Sequence, residues 1–175
     1  MPLPFDQKLY DMFLQADRHE GVDDLGGFAY QLDLSIPAIA TAIHAGHRVR
    51  NELLPLMEIT AACRLFEEDV IIQDFPSAIW GLDSRAEYDI TRPPEDALPL
   101  TPEKFWGTRV YQTPPGDAMN ARSIEKFHAF YRFIGSYLQA VIARHGACVV
   151  YDIHSYNISR QVEKGIKGAH GCWFV

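Results

Sequence analysis

The run ARSIEKFHAFYRFIGSYLQAVIARHG, residues 121 to 146, followed at once by ACVVYDI, constrains the fold of this chain more than any other stretch. Ile124, Phe127, Tyr131, Ile134, Leu138 and Val141 recur on one face at helical spacing, and Gly146 supplies a C-cap. The valines and tyrosine that follow read as a buried strand. A long helix feeding directly into an apolar strand is an α/β unit. The fold class expected is therefore α/β, a mixed, mostly parallel sheet flanked by helices, in one domain spanning residues 1–175. Sheets of this kind bind ligands at the carboxyl ends of their strands.

Two strand ends fit that rule. VVYDIHSYN, residues 149 to 157, closes on Asp152, His154 and Ser155, where a core strand would carry no polar side chains. PAIATAI, residues 37 to 43, is a strand-length apolar run that stops at HAGHR. Elsewhere, Leu9, Phe13 and Leu14 mark a leading helix, and DRHEGVDDLGG reads as a loop. AACRLFEEDVIIQDF, residues 61 to 75, is read as helix or loop, and the alternation in residues 85 to 91 as a strand broken at Pro93 and Pro94. The Pro-rich run from 93 to 116 is expected to be an extended surface segment pinned by Phe105, Trp106 and Tyr111.

Composition excludes several function classes. A net charge of -7 without a basic cluster disfavours nucleic-acid binding by phosphate neutralisation, so an anionic substrate would need a local Arg. No apolar stretch is long enough to span a membrane, and the N-terminus lacks the pattern of a signal peptide, which places the chain in the cytoplasm. Cys63, Cys148 and Cys172 are odd in number and widely spaced, which argues for buried thiols over a disulfide framework or a thiolate metal site.

The polar strand ends carry residue types suited to a metal. Hydrolytic zinc takes His and carboxylate ligands, three from the protein, usually gathered from separate strand ends. His44 and His154 are candidates of that type. Asp152, two residues before His154, projects on the same side of an ideal strand, where its carboxylate could hold the imidazole in its ligating tautomer. FEEDV offers a third ligand. Each signal has an ordinary alternative: a histidine packed in the core, three acids on a solvated face, or cross-strand ion pairs along SRAEYDITR. Trp80, Trp106 and Tyr131 read as core or lid packing.

In combination, AIHAGHRVRNEL, FEEDV, SRAEYDITRPPEDAL and YDIHSYN, in that order and spacing, resemble the N-formylglutamate amidohydrolase family over roughly residues 36 to 160. The most specific elements are the Ser-Arg-x-x-x-Asp-x-x-Arg-Pro run from Ser84 to Pro93 and the Asp-x-His-Ser from Asp152 to Ser155. The resemblance implies a phosphorylase/hydrolase-like fold similar to zinc carboxypeptidases and aspartoacylases, with a single Zn2+ held by His44, His154 and an acid of EED. Glu68 is preferred for that acid, with Glu67 and Asp69 as alternatives. It also implies a small N-acyl amino acid substrate, an N-formyl one among the candidates, cleaved at its amide. Arg85 and Arg92 match positions suited to gripping its carboxylate bidentately, with Asp89 orienting one of them. Ser155 most simply caps the turn after the strand.

The chain departs from the pattern in three places. Zinc carboxypeptidases pair their first His with a Glu three residues on, where this chain has His47. The Asn often found before the family's Arg-Pro is Thr91 here. Relatives continue beyond the Asp-x-His-Ser strand to a strand bearing a general-base Glu, whereas here only ISRQVEKGIKGAHGCWFV follows, and Glu163 is its one acid. The general base is therefore unassigned, a truncated metal-binding homologue without catalytic activity and a non-enzymatic binding domain are the alternatives, and the oligomeric state is left open.

Overall fold

The computed structural model describes residues 3–69 and 75–155. Strands β1 (Arg18–Val22), β2 (Phe28–Asp33), β3 (Ala38–Ala42), β4 (Ala78–Gly81) and β5 (Val149–Asp152) form one sheet in the order β1-β2-β4-β3-β5. Helices α1 (Gln7–Phe13), α2 (Ala61–Glu67) and α3 (Asp117–His145) complete an α/β architecture. The sheet is mixed. β1 and β2, and β2 and β4, pair antiparallel, while β3 runs parallel to both β4 and β5. Parallel pairing is thus confined to the half of the sheet that carries the polar strand ends.

α1 starts where Asp6 caps it, its carboxylate accepting from the Lys8 and Leu9 amides. α3 ends at Gly146, whose φ of 81° is the left-handed conformation expected of a glycine C-cap. The buried face of α3 runs through Phe127, Phe130, Ile134, Tyr137 and Val141, with Tyr131 and Leu138 only partly buried at its margin. Ile124, Tyr131 and Leu138 lie along one margin of that face, three residues before Phe127, Ile134 and Val141. Phe13 of α1 packs edge-on against Phe133 and Tyr137, and Phe28 of β2 against Phe130. These rings centre the main core between the helices and the sheet. At Gly135 the N-terminal segment crosses α3 so closely that a side chain would run into the Pro4 carbonyl oxygen.

Three expectations are corrected. DRHEGVDDLGG is a loop only from Asp23 to Gly27; its first half is β1, an edge strand whose mostly exposed positions need not be apolar. Residues 85 to 91 are a series of turns, because the charged residues of the alternation turn inward instead of facing solvent. Glu87 is buried against Arg50 at 2.7 Å and Asp89 is buried against Arg85. The Tyr131 hydroxyl donates to the Ile90 carbonyl and the Tyr111 hydroxyl to that of Ala86, which pins the turns from two sides. β5 lies at the end of the sheet order rather than inside it, and Val149, Val150 and Tyr151 are 51%, 46% and 56% exposed. The buried strand expected there is an edge strand among the described residues.

The Pro-rich segment folds into two short 3-10 turns, Pro94–Asp96 and Pro102–Phe105, a third, Leu54–Leu56, preceding it in the chain. Phe105, Val110 and Tyr111 anchor a second apolar cluster with Leu53, Ile59 and Ala86. No helix among the described residues is long and apolar enough to cross a membrane. Cys63 is exposed rather than buried, and Cys148 is intermediate; Cys172 and Glu163 lie outside the described residues.

Candidate metal centre at the parallel strand ends

β3 and β5 are neighbours in parallel register, Thr41 opposite Asp152, and the Ile153 amide extends the ladder by donating to the Thr41 carbonyl at 2.8 Å. Their carboxyl ends therefore finish side by side. His44 follows β3 and His154 follows β5, which brings two imidazoles 110 residues apart in sequence to 3.3 Å between their Nδ1 atoms.

The acid completing the group is Asp69. Its Oδ2 lies 3.0 Å from His154 Nδ1 and 3.6 Å from His44 Nδ1, and its amide donates to the His44 carbonyl at 3.0 Å. Glu68, the acid preferred from sequence, faces elsewhere: its Oε2 accepts from His47 Nδ1 at 2.7 Å. α2 ends at Glu67 and Glu68 is extended, with φ -100° and ψ 150°. Successive side chains of extended backbone point to opposite sides, so Glu68 turns to His47 and Asp69 to the histidine pair. His44, Asp69 and His154 are the described residues whose ligand atoms converge closely enough to hold a metal ion.

Each imidazole is held from behind by a separate carboxylate. His44 Nε2 lies 3.0 Å from Asp89 Oδ1, and His154 Nε2 lies 2.9 Å from Asp152 Oδ2. A carboxylate accepts only, so both Nε2 atoms carry hydrogen, and Nδ1 of each ring, facing the other ring and Asp69, is the atom free to ligate a metal once it is unprotonated. In the metal-free protein a proton on His154 Nδ1 bridges to Asp69, and a metal ion would take the place of that proton. The donor set fits a metal ion, and the carboxylate behind each ligating histidine is the usual support of such sites. Asp152 is itself held by the Thr41 hydroxyl at 2.7 Å, and Asp69 by the Ser155 hydroxyl at 2.8 Å. Ser155 thus spends its hydroxyl on Asp69.

The electrostatics follow from these contacts. Hydrogen bonding to Asp152 and Asp69 pushes His154 up to about 9 against the opposing effect of burial, so in the metal-free protein it is a cation at neutral pH. Burial pushes Asp69 up, but hydrogen bonds from His154, His44 and Ser155 outweigh it and hold the carboxyl well below the usual range. Asp89 behaves likewise, burial being overcome by His44, Arg85 and Thr91.

Asp89 also joins the histidine pair to the arginines. Its Oδ2 accepts from Arg85 Nη2 at 2.7 Å and lies 3.4 Å from Arg92 Nε, while Oδ1 takes the Thr91 amide and hydroxyl. Both guanidiniums lie against the Trp106 ring, Arg85 at 4.3 Å from its centroid and Arg92 at 5.4 Å. Among the described residues, buried side-chain nitrogen and oxygen atoms without a hydrogen-bond partner occur on Arg64, Glu68, Arg85 and Arg92. The two that lie beside Asp89, Arg85 Nε and Arg92 Nε, are unused donors that suit an anion.

Sequence reasoning reached His44, His154, Asp152, Arg85 and Arg92, all of which the structure gathers at these strand ends. It ranked Asp69 behind Glu68 and missed Asp89 as the partner of His44, 45 residues away. The Thr41–Asp152 bond and the Trp106 contacts also carried no sequence signal, since each depends on long-range packing.

A mixed sheet whose parallel ends present two carboxylate-backed histidines and an aspartate defines an α/β protein with a candidate metal centre. The N-formylglutamate amidohydrolase family model matches residues 36–171, and the chain belongs to that family, whose fold is zinc-carboxypeptidase-like. No curated protein and no solved structure matches it.

Proposed function

We propose that this chain is a zinc-dependent amidohydrolase that cleaves the amide of a small N-acyl amino acid, with an N-formylglutamate-type substrate as the family suggests. The observation that carries the reading is the convergence of His44 Nδ1, His154 Nδ1 and Asp69 Oδ2 with both outer imidazole nitrogens on carboxylates. In this reading Asp69 takes the ligand role first given to Glu68. Zinc bound there would polarise the amide carbonyl and acidify a water molecule. Asp89 and Asp152 keep His44 and His154 in the Nε2–H tautomer, and Ser155 fixes the Asp69 carboxylate. Arg85 and Arg92 bind the substrate carboxylate and so orient the scissile amide toward the histidine pair; a guanidinium fork suits a carboxylate better than an ammonium would.

A second reading, metal binding without turnover, is favoured by one observation. Asp69, Asp89 and Asp152 are each engaged as above, and Glu68 has one oxygen on His47. The general base is unassigned among the described residues, and its loss alone lowers rates by about 10²- to 10⁴-fold.

Elemental analysis of the purified protein, followed by assay of N-formyl-L-glutamate hydrolysis, tests both. Near one zinc per chain, lost in His44→Ala, His154→Ala and Asp69→Ala and kept in Glu68→Ala, is the expected result. Zinc retained by the Asp69 variant but lost from Glu68→Ala would return the ligand role to Glu68. Stoichiometric zinc with no turnover would favour the second reading.

A further inference from the structure

Trp106 is the single non-glycine residue with positive φ among the described residues, at φ 52° and ψ 32°. A Cβ in that left-handed region costs about 1–2 kcal/mol, and for a bulky residue it persists only where surrounding contacts impose it. Glycine would adopt the conformation freely, as the adjacent Gly107 does at φ 87°. The indole is kept at a backbone position that disfavours it.

Its ring contacts Arg85 and Arg92, together with Phe105 at 5.0 Å. The two guanidiniums share one carboxylate, Asp89, and would otherwise repel each other across it. Arg92 in particular meets Asp89 at 3.4 Å without a hydrogen bond from its buried Nε. The face of an indole attracts cations without consuming their N–H donors. A stacked guanidinium therefore keeps its in-plane donors for a further anion, whereas a second carboxylate in place of Trp106 would neutralise it.

From this geometry we propose that Trp106 is a positioning residue that holds Arg85 and Arg92 as a paired clamp for the carboxylate of the substrate. The proposal rests on the carboxylate role of the arginines stated above and adds what sets their orientation. It assigns the strained backbone at Trp106 to substrate recognition rather than to packing.

The test measures binding of N-formyl-L-glutamate and of its uncharged diamide by titration calorimetry, on metal-stripped protein so that neither is consumed. Wild type is expected to prefer the acid. Trp106→Leu, which keeps apolar bulk but loses the aromatic face, should bind the acid about tenfold more weakly, the effect of an ordinary cation–π contact. Trp106→Tyr should stay within about threefold, because its ring restores the face. Trp106→Gly, which removes the ring while relieving the backbone, should show the Leu-like loss of acid binding with diamide binding unchanged, so a second variant without the aromatic face carries the test if the Leu variant does not fold. Equal acid binding by wild type and the Leu and Gly variants would overturn the proposal while leaving the arginine clamp intact. No preference of wild type for the acid over the diamide would overturn both. Acid preference that follows the Trp106 series in a protein that binds no zinc would uphold the clamp and refute the hydrolase reading alone.

Discussion

Asp89→Asn separates the two halves of the site in one substitution. The native carboxylate uses Oδ1 for His44 Nε2 and for the Thr91 amide and hydroxyl, and Oδ2 for Arg85 Nη2. An asparagine has one acceptor oxygen and one donor group. With its oxygen in the Oδ1 position, the amide nitrogen confronts the Arg85 donor; turned over, it confronts His44 and removes the bond that fixes the imidazole tautomer. Either way a buried partner is orphaned and two guanidiniums lose their shared counter-charge. Breaking a buried ion pair from one side costs about 3–5 kcal/mol, to be read from urea denaturation of the metal-free protein. Loss of the carboxylate behind a ligating histidine lowers metal affinity about 10–100-fold, to be read by zinc competition against a chromophoric chelator. Asp83→Asn serves as the comparison. Its carboxylate accepts from Lys126 at 2.7 Å and Tyr88 at 3.0 Å, so its loss should lower stability and leave zinc affinity unchanged. Zinc affinity within threefold of wild type in Asp89→Asn would refute the argument that the Asp89 carboxylate charge supports His44 as a metal ligand.

Further predictions concern pH and packing. Because His154 is pushed up to about 9, zinc binding should release a proton near neutral pH and tighten as pH rises toward 9, measurable by calorimetry in buffers of different ionisation enthalpy. In the metal-free protein the same raised pKa contributes stability that is fully present below the unfolded value of about 6.5 and is lost as pH rises through about 9. Thermal melts from pH 6 to 10 should therefore decline over that upper range in wild type and decline less in His154→Gln. Gly135→Ala should destabilise by about 1–3 kcal/mol, because the new methyl group meets the Pro4 carbonyl and the N-terminal segment must move off α3. Glu87→Gln should cost about 1–3 kcal/mol in denaturant titration, because Arg50 loses its buried counter-charge but keeps its ion pair with Glu52.

The elements that can be read along the chain are those that satisfy themselves locally. α3 announces itself by its apolar stripe and its terminal glycine, and β3 and β5 by short β-branched or apolar runs that stop at polar residues. β1, by contrast, has no apolar face to display at the sheet edge. The turns of residues 85 to 91 mimic a strand because the partners of Glu87 and Asp89, namely Arg50 and His44, lie 37 and 45 residues away.

The same division runs through the site. Residue types and spacing alone pointed to a metal ligand after each of two strands and to Asp152 beside His154, because two-residue spacing on a strand is a local geometric fact. Which of three consecutive acids faces the histidines was settled by where α2 unwinds: a single residue of extended backbone sends Glu68 one way and Asp69 the other. That β3 and β5 are neighbours, that Asp89 stands behind His44, and that one indole lies against two arginines are consequences of packing across the whole sheet. Side-chain chemistry is written residue by residue, whereas the direction in which each group points depends on contacts between segments distant in the chain.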